Sequence, residues 1–211
     1  AKASAVYHNI ELMREAYPPQ SFYALMNLIS SHDQARALHI FGYRDDKTDP
    51  AAIQLAKQRL RLATFFQMVF PGAPTVYYGD EVGVTGGDDP YNRATYPWAD
   101  LGGKPDEGLR ADFKRLIKLR QDHPVLRHGS LGAPLLVDAH LIVLARNQDK
   151  TWALTATNNA TTAKTVTVKL PEGAPGGVYV EALSGTRVVA AAGSITLTVP
   201  PLFGGVWVRG E

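Results

Sequence analysis

At His123-Pro124 the spacing of apolar residues changes, and this limits the folds open to the chain more than any other feature. Before that point apolar positions recur at helical spacing, at Val6, Ile10 and Met13 and again at Leu109, Phe113, Leu116, Ile117 and Leu119. After it the runs are short and alternate with period two, over 135–137, 141–145, 151–157, 165–170, 178–182, 188–190, 195–199 and 205–208. Turn formers such as Gln148-Asp149, Asn158-Asn159, Gly176-Gly177 and Ser184-Gly185 separate them. Short strands at this spacing predict an antiparallel β-sandwich. The chain therefore reads as an α/β part, residues 1–126, followed by an all-β domain, residues 127–211, with the boundary near Arg127.

The α/β part alternates helix and strand. A helix from Ala3 to Ala16 ends at Pro18-Pro19, because proline lacks the N–H and clashes with the preceding turn. The run from Phe22 to Ile29 is nearly all apolar, as for a parallel strand buried on both faces. A polar loop, 42–49, leads to Pro50 and a long helix from Ala51 to Phe70, rich in Ala, Leu, Gln and Arg. Pro71-Gly72-Ala73-Pro74 stops it, and Thr75 to Tyr78 reads as a second short strand. A long Gly-, Asp- and Pro-rich loop, 79–104, precedes a helix from Glu107 to Asp122. Two parallel strands neither close a barrel nor cover both faces of a stable sheet. The pattern thus predicts part of something larger. Its open strand edges predict pairing with the strands that would complete it or with a second copy.

Composition excludes several partners. The 211 residues carry a net charge of +2, with Lys and Arg scattered among acids, so no basic stripe is present to neutralise a row of phosphates. Nucleic acid is not expected as a partner, and no apolar run is long enough to span a bilayer, so neither is a membrane. Cysteine is absent, which excludes disulfides and thiolate metal sites and leaves the compartment undecided.

Three groups of residues carry chemistry. His32-Asp33 follows the Phe22–Ile29 run, at the strand's C-terminal lip, where barrels of alternating strands and helices hold their active sites. A carboxylate there can accept two hydroxyl hydrogen bonds while the imidazole makes a third. The same pair also occurs in metal-dependent phosphohydrolases, which need a further His and Asp; His8 and His39 have no ligand-like spacing to an acid. A turn cap is the third alternative. Asp80-Glu81 follows the second strand, where neighbours on a strand would point to opposite sides, so structural hydrogen bonding is expected of at least one. In the Gly86–Arg93 loop, Asp and Arg can pair with each other or meet a ligand's hydroxyls. Oxygen ligands there would suit calcium, but the loop lacks the alternating spacing of a dedicated calcium site, so no metal and no cofactor is assigned. Tyr96 and Trp98 offer aromatic faces for a sugar ring or an anchor for the loop.

Taken together, Met26-Asn27-Leu28-Ile29-Ser30-Ser31-His32-Asp33-Gln34-Ala35-Arg36, the run from Pro71 to Gly83, and Gly86-Gly87-Asp88-Asp89-Pro90 with Arg93, Pro97 and Trp98 resemble the α-amylase family of glycoside hydrolases. The likeness is to its C-terminal portion, and within it to the neopullulanase, cyclomaltodextrinase and amylopullulanase branch. It covers roughly the first 125 residues, and the β tail resembles the domain that usually follows the family's barrel. The resemblance implies the C-terminal part of a (β/α)8 TIM barrel, from sixth to eighth helix, followed by the sandwich. It implies that Asp33 stabilises the transition state by binding sugar hydroxyls and that His32 hydrogen-bonds the same sugar. Arg36 would be structural support, and Asp89 and Arg93 would contact glucose units toward the non-reducing end. Gln34 stands where Thr is common in the family.

The nucleophile and acid/base carboxylates of a retaining glycosidase lie about 5 Å apart. The family draws them from the fourth and fifth strands, and no Asp or Glu of this chain matches either context. The expectation is a part of a retaining α-glucan hydrolase that binds an α-glucan oligosaccharide and is inactive alone. Rival readings are a non-catalytic carbohydrate-binding or assembly module and part of a glucanotransferase of the same family.

Overall fold

The computed structural model describes residues 2–45 and 47–209; Asp46, inside the expected polar loop, lies outside the described residues. Helices α1 (Ala3–Ala16), α2 (Pro19–Phe22), α3 (Ala37–Phe41) and α4 (Pro50–Val69) and strands β1 (Met26–Leu28) and β2 (Ala73–Thr75) come first. Short 3-10 turns at Asp80–Val82, Tyr91–Arg93 and Ala99–Leu101 shape the following loop, before α5 (Glu107–Asp122) and α6 (Pro124–His128). Then come β3 (Ser130–Leu131), β4 (Leu136–Val137), β5 (Leu141–Gln148), β6 (Thr151–Asn158), β7 (Lys164–Lys169), β8 (Gly177–Glu181), β9 (Arg187–Ala190), β10 (Ser194–Val199) and β11 (Phe203–Arg209). The chain packs into two compact units, one of residues 1–25, 68–72 and 119–211, the other of 26–67 and 73–118.

In the first unit a seven-stranded sheet, ordered β3-β5-β6-β11-β8-β9 with β4 also on β5, faces the antiparallel pair β10-β7. Alternate residues explain the sandwich. Leu141, Val143 and Ala145 of β5 share one core with Leu154, Ala156, Val168, Tyr179, Ile195, Leu197, Val199 and Trp207. Residues 141–146 of β5 are all buried, so this strand is covered on both faces where alternation alone would leave one exposed. Helices α1 and α6 supply the second cover, packing on β5. Two arginines finish this unit. Arg146 donates to the carbonyls of Val69, Leu126 and Gly129, and Arg120 to those of Met68, Phe70, Gly72 and Leu126. The orphan carbonyls at the end of α4 are thereby satisfied by cations, which also suit the negative end of a helix.

In the second unit β1 and β2 pair in parallel, with Met26 opposite Ala73 and Leu28 opposite Thr75. Both strands are shorter than the sequence suggests. Phe22 is not in a strand: it closes the α2 turn and is buried there, so the apolar run serves two packing duties rather than one. Tyr77 and Tyr78 lie beyond β2. Nor is β1 buried on two faces, since Met26 is 62% and Leu28 47% exposed. The side-chain amide of Gln67 on α4 ties the two strands, donating to Asn27 O at 2.7 Å and Thr75 O at 3.0 Å. Ala37, Leu38, Ala56, Leu60, Leu109 and Phe113 make the core between α3, α4 and α5. Asp106 precedes α5, accepting the Leu109 N–H at 2.9 Å and the Lys57 ammonium at 2.7 Å. Burial pushes its carboxyl upward, but Lys57 and the Leu109 amide outweigh that and hold it below the usual range.

Candidate functional site

The backbone leaving β1 is fixed by its own serines. Ser30 is buried and its Oγ accepts the Ala37 N–H at 2.9 Å, at the start of α3, while Ser31 Oγ accepts the Asp33 N–H at 3.2 Å. Between these anchors stand His32 and Asp33, with His32 Nε2 3.2 Å from Asp33 Oδ1. Their side chains are 59% and 75% exposed, so the carboxylate remains open to hydroxyl donors.

Three residues after Asp33, Arg36 is fully buried. Its Nε donates to Asn92 O at 2.9 Å, and its Nη1 to Tyr78 O at 2.7 Å and to Asp80 Oδ1 at 3.1 Å. The guanidinium also lies over the rings of Tyr77 and Tyr78, 4.5 and 4.8 Å from their centroids. Burial raises the Asp80 carboxyl to about 6, against the opposing pull of the Ser30 hydrogen bond and of Arg36. Asp80 is thus a buried structural group, as expected of one member of the pair. It sits on a 3-10 turn, however, so the strand geometry expected for Asp80-Glu81 does not apply.

Asn92 joins this lip to the following loop. It is fully buried, and its Nδ2 donates to the carbonyls of His32 at 2.9 Å and Gln34 at 3.1 Å, the residues flanking Asp33. On the same turn Arg93 Nε lies 2.6 Å from Asp89 Oδ1, both side chains at least half exposed. Through Asn92 the turn bearing Asp89 and Arg93 is bonded to the segment bearing His32 and Asp33. The sequence reading named both pairs but gave Asn92 no role; nothing in a lone Asn marks it as a clamp. Further along, the rings of Tyr96 and Trp98 are 4.4 Å apart, with Trp98 exposed. Among the described residues, no three His, Asp or Glu side chains gather as a metal site.

The fold so defined is the C-terminal part of a (β/α)8 barrel followed by an antiparallel β-sandwich. The same fold is seen in an α-amylase from Geobacillus thermoleovorans, solved with acarbose, which superposes with a TM-score of 0.80 over 97% of this chain and 43% of that one, at 24% identity. Residues 2–103 match the family model described as alpha amylase, catalytic domain. An amylopullulanase of Thermoanaerobacter thermohydrosulfuricus is 45% identical over 120 residues, 56% of this chain and 8% of that protein. Neopullulanase 2 of Thermoactinomyces vulgaris is 31% identical over 199 residues, 94% of this chain and 32% of that protein. The chain belongs to the α-amylase family of glycoside hydrolases and spans a third or less of the length of these two relatives.

Proposed function

We propose that this chain supplies one side of the active site of a retaining α-glucan hydrolase acting on starch, maltodextrin or pullulan, at α-1,4 and also α-1,6 bonds. The observation that carries the reading is the open carboxylate of Asp33, paired with His32 on a backbone anchored from three sides. In this reading Asp33 accepts two hydroxyls of the reacting sugar and stabilises its transition state, where bonds that tighten as charge develops are the ones that accelerate. His32 makes a further hydrogen bond to the same ring. Asp89 and Arg93 exchange their mutual contact for the hydroxyls of more distant glucose units. Residues 1–126 form the barrel part and 127–211 the sandwich.

None of the remaining carboxylates is assigned as nucleophile or acid/base, so the 211-residue chain alone is inactive. Its natural partner is the strand set that completes the barrel, or in its absence a second copy. Two measurements on the purified chain test this. Reducing-sugar release from starch and pullulan is expected to be nil; release in proportion to chain concentration overturns the reading. Maltotriose titrated into the labelled protein is expected to shift the resonances of His32, Asp33, Asp89 and Arg93, with Asp33→Ala abolishing the effect at the lip. An unresponsive lip would sink the sugar-binding role.

A further inference from the structure

We propose that Asn92 is a positioning residue for Asp33, and that Gly86 is the backbone condition that lets it act. The inference rests on the sugar-binding reading for its purpose, but its geometry stands by itself. Asp33 is exposed, and among the described residues the side chain that meets its carboxylate is the neighbouring imidazole, at 3.2 Å. The backbone sets the direction of its Cα–Cβ bond, and with it the space the carboxylate can reach. That backbone is gripped on both sides by a single amide: one Nδ2 proton goes to His32 O and the other to Gln34 O. An amide nitrogen has two donors, and here both are spent on the carbonyls that bracket Asp33.

The clamp is itself held. Asn92 O accepts Arg36 Nε at 2.9 Å and the Tyr77 hydroxyl at 3.4 Å, so the main chain behind the amide is bonded to a buried cation. The loop limb opposite is equally close. A Cβ on Gly86 would lie 2.1 Å from Tyr91 O and 2.7 Å from Tyr91 C, both backbone atoms that cannot rotate aside. Gly86 O in turn accepts the Arg36 N–H at 3.0 Å. Any side chain at 86 would force apart the two limbs of the loop and carry Asn92 away from the lip. Because the same turn bears Arg93, the clamp also couples the position of the Asp89–Arg93 pair to that of Asp33. Sugar bound at one pair is thereby registered against the other.

The test uses the chain itself. In the parent protein the backbone amides of Asp33 and Gln34 are expected to show order parameters near the rigid value of about 0.85. Asn92→Asp keeps the shape but offers two acceptors to two carbonyls, and Asn92→Ser can restore only one bond. In Asn92→Asp the order parameters at 33 and 34 are expected to fall below about 0.6, with Asn92→Ser intermediate and Gly86→Ala resembling Asn92→Asp. The core of the second unit, followed through the methyls of Leu38, Leu60 and Leu109, is expected to stay unchanged. If Asn92→Asp fails to fold, Asn92→Ser decides alone. Unchanged order at 33 and 34 in a folded variant, or loosening spread evenly through that core, overturns the proposal. Maltotriose titration of the same samples keeps the two readings apart. Loosening at 33 and 34 in the variants of a parent chain that ignores the sugar sinks only the functional reading, and a lip that stays rigid in the folded variants of a parent that binds sugar sinks only this one.

Discussion

The sandwich and the β1-β2 pair make opposite use of apolar strands. In the sandwich, β5 and β6 are covered on both faces, and the buried strand residues meet others from β7, β8, β10 and β11. In the β1-β2 pair, Met26 and Leu28 face outward, and the strands are held by a helix amide and by each other. The first region gets its shape from burial. The second gets it from hydrogen bonds aimed at named carbonyls, by Gln67 at the strands, by Asn92 at the lip and by Arg36 at Tyr78 and Asn92. Burial tolerates small displacements, whereas directed bonds fix atoms.

Several substitutions would break or sharpen that contrast. Leu197→Ala, in the sandwich core, is expected to cost about 2–5 kcal/mol of stability in urea unfolding, from lost burial and the cavity left behind. Arg146→Ala should cost about 3 kcal/mol or more, since the carbonyls of Val69, Leu126 and Gly129 lose their donor. A value under 1 kcal/mol would show that water replaces the guanidinium. Asp80 gives a pH effect of the opposite region. Its carboxyl is raised in the folded chain, so its contribution is fully present below the ordinary carboxylate range and is lost as pH rises to about 6. Melting curves of the parent and Asp80→Asn between pH 4 and 7 should diverge over that window by roughly 2–3 kcal/mol, the parent weakening as pH rises. Asp106→Ala, which removes the cap of α5, should cost about 1 kcal/mol. Leu28→Thr, on the exposed strand, should stay within about 0.5 kcal/mol. A loss as large as that of Leu197→Ala would mean that this face is covered in solution.

The sandwich was readable in the sequence because period two is a physical consequence of the pleat. The runs at 151–157 and 195–199 lie within a residue of β6 and β10. Helices starting at a proline or ending before one were equally plain, as α4 and α1 show. The β1 region was harder. Apolarity marks burial without saying against what, so Phe22 and Leu28 looked like members of one strand, though one closes a helical turn and the other faces out. His32 and Asp33 were legible as a motif, whereas a structural role for Arg36 came only from the family resemblance. Asn92 was not, because a clamp is defined by the carbonyls it reaches, sixty and fifty-eight residues away.

The two buried arginines of the sandwich unit have one more consequence. Neither donates to a carboxylate in the bonds described; both face carbonyl oxygens, and burial with its neighbour Arg120 lowers Arg146 only to about 10, so it stays protonated at neutral pH. Dissolved salt weakens pairs of opposite charges, such as Lys57 with Asp106 or Arg61 with Asp112, by gathering counterions around them. A cation against neutral dipoles, sealed from solvent, offers such ions no access. The end of α4 is thereby fastened by a brine-proof rivet, and lysine, with a compact head in place of a five-donor fork, would not replace it.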